Sequence, residues 1–314
     1  MLAPTSIRSL VSLLAVAIGL AALLPAVGCG TKKKPVLTIK QRLEKAEKEK
    51  SPDRQAAELL KVAKLQFAKN DEAGAKETAA RAVEKLTGDG DANLFAPRLI
   101  DIAVFLASVN DRKPAREALA TAVTLIDDIA DPVRKAQLYA DAGAAYKTNT
   151  DSSDAKATLQ KAAEAAAGAD DRFQAEALAA VALGYTRSGL GSAAADVLEK
   201  LLEAAGKLTE PRPKAEAFAA AAGVQAQAGK KKEAMKLLED AETAAKSVER
   251  AESRAYALLA VATATQAAGE TKKALALLKE AEKAADKVPE PSSQKKAVDK
   301  VRGAIADLEK KTKK

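Results

Sequence analysis

The chain predicts an all-α fold, an α-solenoid of about six helix–turn–helix repeats with a 40-residue period and a C-terminal capping helix. Three observations predict it. Asn70, Asn110, Thr150, Gly189, Gly229 and Gly269 recur at spacings of 40, 40, 39, 40 and 40, each placed where a first helix should close. Five residues after each stands an alanine (Ala75, Ala115, Ala155, Ala194, Ala234, Ala274), and four further on Ala79, Leu119, Leu159, Leu198, Leu238 or Leu278. The composition is 47% hydrophobic but 3% aromatic and rich in alanine, which favours long helices that approach closely. An alanine methyl removes little area from water, so neighbouring units must stabilise one another.

Residues 1–28 read as a signal peptide excluded from the fold. Arg8 supplies a positive start, Leu10 to Leu24 an apolar run, and Pro25 ends it before Ala26-Val27-Gly28-Cys29. Those last four residues resemble a bacterial lipobox, with Ala26 where that family prefers Leu. The resemblance implies lipid attachment at Cys29, the single cysteine of the chain. Gly30 in place of the Asp that retains such proteins at an inner membrane implies an exported, lipid-anchored protein of the cell envelope, on the outer membrane facing the periplasm if the source has two membranes. Two rivals remain: ordinary cleavage after Ala26-x-Gly28, leaving a free thiol, and an uncleaved anchor over Leu10–Gly28, about the ~20 residues a span requires. Residues 29–50 then hold the lipidated cysteine, a polar tether with Lys32, Lys33 and Lys34, and a short leading helix carrying Ile39, Leu43 and Ala46.

Residues 51–290 hold the six repeats. In the fourth, Leu178, Val181, Ala182 and Tyr185 stripe one helix face, Gly189 and Gly191 turn the chain, and Ala194, Leu198 and Leu201 stripe a second helix. The fifth carries Phe218, Ala221, Ala222, Gly229, Ala234, Leu238 and Ala241, and the sixth Leu258, Val261, Ala262, Gly269, Ala274, Leu278 and Ala281. Ser51-Pro52 and Asp131-Pro132 place capping residues before prolines suited to a first helical position, while Pro211 and Pro213 interrupt the chain before the fifth unit. Residues 86–91 form a plain loop.

These units resemble tetratricopeptide repeats, whose pattern is a large residue, a large–small pair, an aromatic, a glycine turn, an alanine, a bulky residue and another alanine. The fourth unit meets it with Leu178, Val181-Ala182, Tyr185, Gly189, Ala194 and Leu198, and departs at Leu201. The third meets it with Tyr139, Ala142-Gly143, Tyr146, Ala155, Leu159 and Ala162, with Thr150 in place of the glycine. That family repeats at 34 residues and this chain at 40, so the helices or linkers must be longer. The resemblance implies a right-handed solenoid whose concave face is lined by first helices and takes another protein or a peptide segment. Its candidate groove positions are Leu60, Lys64, Phe67, Ile100, Val104, Leu183, Tyr256 and Leu259, with Ala140, Lys147 and Ala179 in the same register. A core role between longer helices is the competing reading for several of them.

Residues 291–314 form a basic capping helix and tail. Val298, Val301 and Ile305 continue the stripe into a seventh first helix, and Arg302 stands where tight packing of a further unit would need a small residue. Exposed faces should carry local ion pairs such as Lys236 with Asp240 and Lys279 with Glu282.

With no His and one Cys, the chain offers no Ser–His–Asp or Cys–His pair and no zinc site of the usual ligands. Asp89-x-Asp91-x-Asn93 begins like a calcium loop, but Leu94 and Ile100 stand where Gly and an acidic ligand are needed, so it reads as a connector with an N-cap. Asp151 to Asp154 and Asp170-Asp171 read as acidic helix starts. A net charge of +8 without an aromatic stacking set argues against nucleic acid. The function expected is a non-enzymatic interaction scaffold, tethered to a membrane through lipidated Cys29 and needing no cofactor or metal. The alternative is an exported binding protein for a small ligand or envelope polymer.

Overall fold

A computed structural model describes residues 37–312; the segment read as a signal peptide (1–28), Cys29, Lys32 to Lys34 and Lys313–Lys314 lie outside them. From Thr38 the chain forms one compact unit. A leading helix, α1 (Ile39–Glu47), is followed by six hairpins of a first and a second helix. The pairs are α2 (Pro52–Ala68) with α3 (Glu72–Glu84), α4 (Ala92–Ser108) with α5 (Arg112–Asp127), and α6 (Pro132–Thr148) with α7 (Ser152–Ala167). They continue with α8 (Asp171–Arg187) and α9 (Gly191–Lys207), α10 (Pro211–Gln227) and α11 (Lys231–Lys246), and α12 (Ala251–Ala267) and α13 (Thr271–Ala285). A last helix, α14 (Pro291–Thr312), packs on α12 and α13. The fold is an α-solenoid, and among the described residues there is no strand.

The six recurring positions are the six places where the backbone turns left-handed. Their φ values are 63° at Asn70, 58° at Asn110, 71° at Thr150, 71° at Gly189, 77° at Gly229 and 83° at Gly269. Each ends its helix in the same pair of hydrogen bonds, which satisfies two carbonyls the helix leaves free. The Asn70 amide donates to the Phe67 carbonyl at 2.9 Å and the Asp71 amide to that of Gln66 at 3.0 Å. Gly229 to Ala226 (3.1 Å) and Lys230 to Gln225 (2.9 Å) repeat the motif. The residue after the left-handed one is also the N-cap of the next helix, so three residues join each hairpin and the fold inherits the sequence period.

Helix starts follow the expected chemistry with corrections. Asp91 and Asp131 accept from the Asn93 and Val133 amides at 2.9 and 3.0 Å, so the calcium-like segment is indeed an N-cap. Ser51 is the N-cap of α2, but its hydroxyl bonds the Asp53 carboxylate instead of a free amide. Pro211 and Pro213 do not interrupt the chain. They occupy the first and third positions of α10, where a missing N–H breaks no helical bond. The expected pairs Lys236–Asp240 and Lys279–Glu282 do not form, Glu282 being taken by Arg302 at 2.6 Å. Glu72–Lys76, Glu203–Lys207 and Glu242–Lys246 form instead, with the acid N-terminal to the base, the better order on a helix.

First helices pack on the first helices of the next unit, and second helices fill the gaps between consecutive first helices. The core between the two layers is one large cluster from Ala46 to Val224 and a second from Ala215 to Leu308, with Phe218 and Leu237 packed against both. A small third cluster lies where α14 meets α12 and α13. In the first cluster the layers are drawn together by Leu159. A Cβ added to Gly143 would come within 2.6 Å of Leu159 Cγ, and one on Gly184 within 2.7 Å of Leu159 Cδ2 and 3.1 Å of the Ala140 carbonyl. The two glycines let α6 and α8 close over that leucine. Between second helices the units are tied by ion pairs at the surface: Arg116–Asp154 at 2.8 Å, Lys161–Asp127 at 3.0 Å and Lys273–Glu242 at 2.9 Å.

Candidate functional site

The first-helix layer is the surface on which the resemblance places a groove, and it carries two concavities. The smaller, about 480 Å³, lies across α4, α6 and α8 and is lined by Pro97, Ile100, Asp101, Val104, Leu138, Asp141, Ala144, Ala145, Thr148 and Arg187. Pro97 stands inside α4 and removes the helical bond to the Asn93 carbonyl on this side. Val104 is 41% exposed. Beyond it Phe67, 42% exposed, rests edge-on against Phe105 at 6.3 Å.

Three charged side chains stand in the smaller concavity. Asp141 faces Arg187 across α6 and α8 at 3.7 Å, and Asp101 faces Arg98 at 3.6 Å. Both distances exceed a hydrogen bond, so these carboxylates keep their acceptor capacity. The walls of the groove desolvate Asp141 and push its carboxyl above the ordinary range. Arg187 and Arg134 pull it back, and Asp101 adds to the rise. A nearby bridge, Gln137 Nε2 donating to Glu176 at 2.9 Å, links the same two helices one turn earlier.

The larger concavity, about 1030 Å³, opens between the starts of α8, α10 and α12. Phe173, Leu208, Pro211, Pro213 and Val248 give it apolar walls, and Glu176, Glu210, Glu216, Glu249, Arg212 and Arg250 a mixed-charge rim. Arg212 pairs with Glu216 at 2.9 Å, and its guanidinium lies 5.4 Å from the centre of the Tyr256 ring. Lys300 of α14 lies 5.2 Å from the same ring. Tyr256 is therefore flanked by two cations that favour its electron-rich face.

The predicted groove residues fall into three groups. Leu60 and Ile100 are buried, as are Ala140 and Ala179, so their bulk belongs chiefly to the core. Lys64, Phe67, Val104 and Lys147 are exposed. Leu183, Tyr256 and Leu259 are half-buried, and Tyr256 belongs to the Arg212–Lys300 cluster. Ile100 and Val104 meet in one concavity; Phe67 packs on Phe105 outside its lining, while Tyr256 and Leu259 sit on α12, four first helices further along the array than α4. Asp101, Asp141 and Arg187 were missed. The signal was available, since Asp101 and Asp141 are 40 residues apart and directly follow predicted inward positions.

Tyr139, Tyr146 and Asp127, on the other side of the first helices, form a supporting layer. Burial, with help from Asp154, pushes the Tyr146 hydroxyl up to about 12. Burial works against the Asp127 carboxylate, but hydrogen bonds from Tyr139 and Lys161 outweigh it and hold the group below its ordinary value. Among the described residues no group of three or more His, Cys, Asp or Glu side chains is placed to hold a metal, and no helix is long and apolar enough to cross a membrane.

No family model matches the chain, and no curated protein matches it. Solved structures are similar to it at low identity. Ton1535 from Thermococcus onnurineus NA1 is 15% identical, covering 82% of this chain and 94% of that one, with a TM-score of 0.42. The nearly identical TPR-like repeats of a kinesin light chain from Podosopora anserina are 19% identical, with 64% and 98% covered and a TM-score of 0.36. A tetratricopeptide repeat protein from Parabacteroides merdae ATCC 43184 is 15% identical, with 84% and 91% covered and a TM-score of 0.35. The α-solenoid architecture rests on the helix order and packing of this chain itself.

Proposed function

We propose that the protein is an exported lipoprotein, tethered to a membrane through Cys29, that acts without catalysis as a protein-interaction scaffold. The observation that carries the scaffold reading is the first-helix face over α4, α6 and α8. There exposed Val104, set on the buried Ile100 and Leu138, lies under Asp101, Asp141 and Arg187, whose hydrogen-bonding capacity is not used up among the described residues. An extended or helical segment of a partner would set apolar side chains on this surface and polar groups against the three charges. Support for the tether is the apolar run ending in Ala26-Val27-Gly28-Cys29. Lipid attachment would hold the array at one surface and raise the local concentration of whatever binds it.

Site-specific photocrosslinking in intact cells tests the groove. A crosslinker at Val104 or Leu183 should capture the same partner, and one at Ala120 or Lys200 on second helices should not. Equal capture from both layers, or none from the first, would sink the reading. Mass spectrometry of the mature N-terminus tests the tether, which fails if Cys29 carries no acyl chain.

The larger concavity supports a second reading, an exported binding protein for a small ligand or envelope polymer. Its volume of about 1030 Å³ and its rim of Arg212, Arg250 and four glutamates suit a compact molecule of mixed charge. A ligand that raises the melting temperature of the wild type but not of an Arg212→Ala, Arg250→Ala double variant would favour it.

A further inference from the structure

The net charge of +8 is not spread over the molecule. Residues 38–290 carry 39 basic and 40 acidic side chains, so the leading helix and six repeats are nearly neutral. Residues 291–314 carry 8 basic and 3 acidic ones. Within the compact unit the positive excess therefore belongs to α14 and the two lysines after it. We propose that the outward face of α14 is a docking surface for an anionic lipid bilayer.

The packing of α14 decides which face is free. Ala297, Val298, Val301 and Leu308 are buried against the array, and Ala304 and Ile305 are half-buried beside them. At 100° per residue the opposite side of the helix carries Lys295, Lys296, Asp299, Gly303, Ala306, Asp307 and Lys310, all exposed. Among the described residues Lys295 and Lys296 form no ion pair. Lys310 has Asp307 at 3.8 Å, with both side chains more than three-quarters exposed. The one arginine of the segment, Arg302, is drawn back onto Glu282.

The spacing of these lysines selects the occupant. Lys295 and Lys296 at one end of this face and Lys310 at the other are about 15 residues apart, about 22 Å along the helix, with Lys311 on its flank. No single carboxylate or phosphate reaches both, whereas a flat anionic surface meets both at once. Gly303 and Ala306 keep the middle of the face low, and Asp299 and Asp307 offset part but not all of its lysine charge. Lysine is a hydrated point charge suited to a diffuse field of headgroups. Recognition of nucleic acid would favour the planar fork of arginine and an aromatic platform, and α14 has no aromatic residue. Each lysine near an anionic leaflet raises partitioning by about fivefold, and the effect decays within a Debye length. The contact does not require lipid at Cys29 and would be reversible.

Vesicle cosedimentation of the chain from Gly30 onward, which retains the whole compact unit from Thr38, tests the proposal. Phosphatidylcholine vesicles with about 30% phosphatidylglycerol should bind it at about 0.05 M salt and release it at about 0.5 M, and neutral vesicles should not bind it. The variant K295Q/K296Q/K310Q/K311Q should bind at least tenfold more weakly. A control with the same charge loss elsewhere, K232Q/K236Q/K272Q/K279Q, should stay within about twofold of wild type. All eight lysines are exposed, so unchanged melting curves are expected for both variants. Absence of binding at low salt, equal weakening by the two variants, or tighter binding of duplex DNA than of anionic vesicles would each overturn the assignment.

Discussion

The first three repeats and the last three use one backbone plan with opposite side-chain strategies. In the first three, Asn70, Asn110 and Thr150 take the left-handed position, each followed by aspartate. In the last three, glycine takes it, followed by Leu190, Lys230 or Glu270. The first helices α4 and α10 differ in step. α4 buries Phe95, Leu99, Ile100, Ile102, Phe105 and Leu106, whereas α10 buries five alanines and Val224. Where large side chains are buried, a strained turn is tolerable because packing holds it. Where the core is mostly methyl groups, the turn must be strain-free. Asn149 shows the first strategy in detail. It is buried just before Thr150, and its Nδ2 donates to the Arg112 carbonyl at 3.0 Å and to Asp151 at 2.8 Å, tying the third turn to the second unit.

The largest test of this contrast is Ile102→Ala. Ile102 is fully buried, and its counterpart three units later is Ala221, so the variant imposes the alanine plan on a bulky unit. A loss of about 2–4 kcal/mol in urea unfolding is expected. A loss under about 1 kcal/mol would mean that the bulky units do not carry the packing. Next comes Gly229→Ala, which forces a Cβ into the left-handed region with no steric neighbour to blame. It should cost about 1–2 kcal/mol. Thr150→Gly should act with the opposite sign, raising stability by up to about 1 kcal/mol, because relief of strain at a β-branched residue exceeds the entropy glycine adds to the unfolded chain. If both substitutions destabilise alike, the two halves do not differ in turn strain.

The smallest effect concerns the start of α14. Glu290 accepts from the Ser292 and Ser293 amides, and these serines hold its carboxyl down at about 2. Its folded value is lowered, so its contribution is present above the ordinary glutamate range near 4.5 and fades as pH falls toward 2. Because the group is exposed, the readout is local: the Ser292 and Ser293 amide resonances should titrate with a midpoint near the folded value of about 2. They should lose the titration in Glu290→Gln.

Much of this architecture was legible before any coordinates. A left-handed turn favours Gly or Asn, and a close helix pair needs small residues at fixed spacing, so local chemistry marked five turns, the leading helix and the Val298–Val301 stripe, and the repeat register marked the sixth turn at Thr150. Pro211 and Pro213 misled because proline reads equally as a break and as a helix start, and only the residues C-terminal to it decide between them. The groove was legible in part. The register located the first-helix face at Val104 and Phe67. It could not tell that Leu60 and Ile100 turn inward, because one residue of helix rotation separates core from surface.

By itself the sequence determined the number of repeats, their period and their boundaries, because each depends on residues within a few positions of one another. Tertiary structure alone decided which faces close and which stay open. Gly184 fits only because Leu159 and the Ala140 carbonyl arrive from two other helices. The concavity over Asp101, Asp141 and Arg187 exists only where three first helices, 40 residues apart, are set side by side. Such juxtapositions depend on how closely helices from different units approach, which a periodic pattern does not encode.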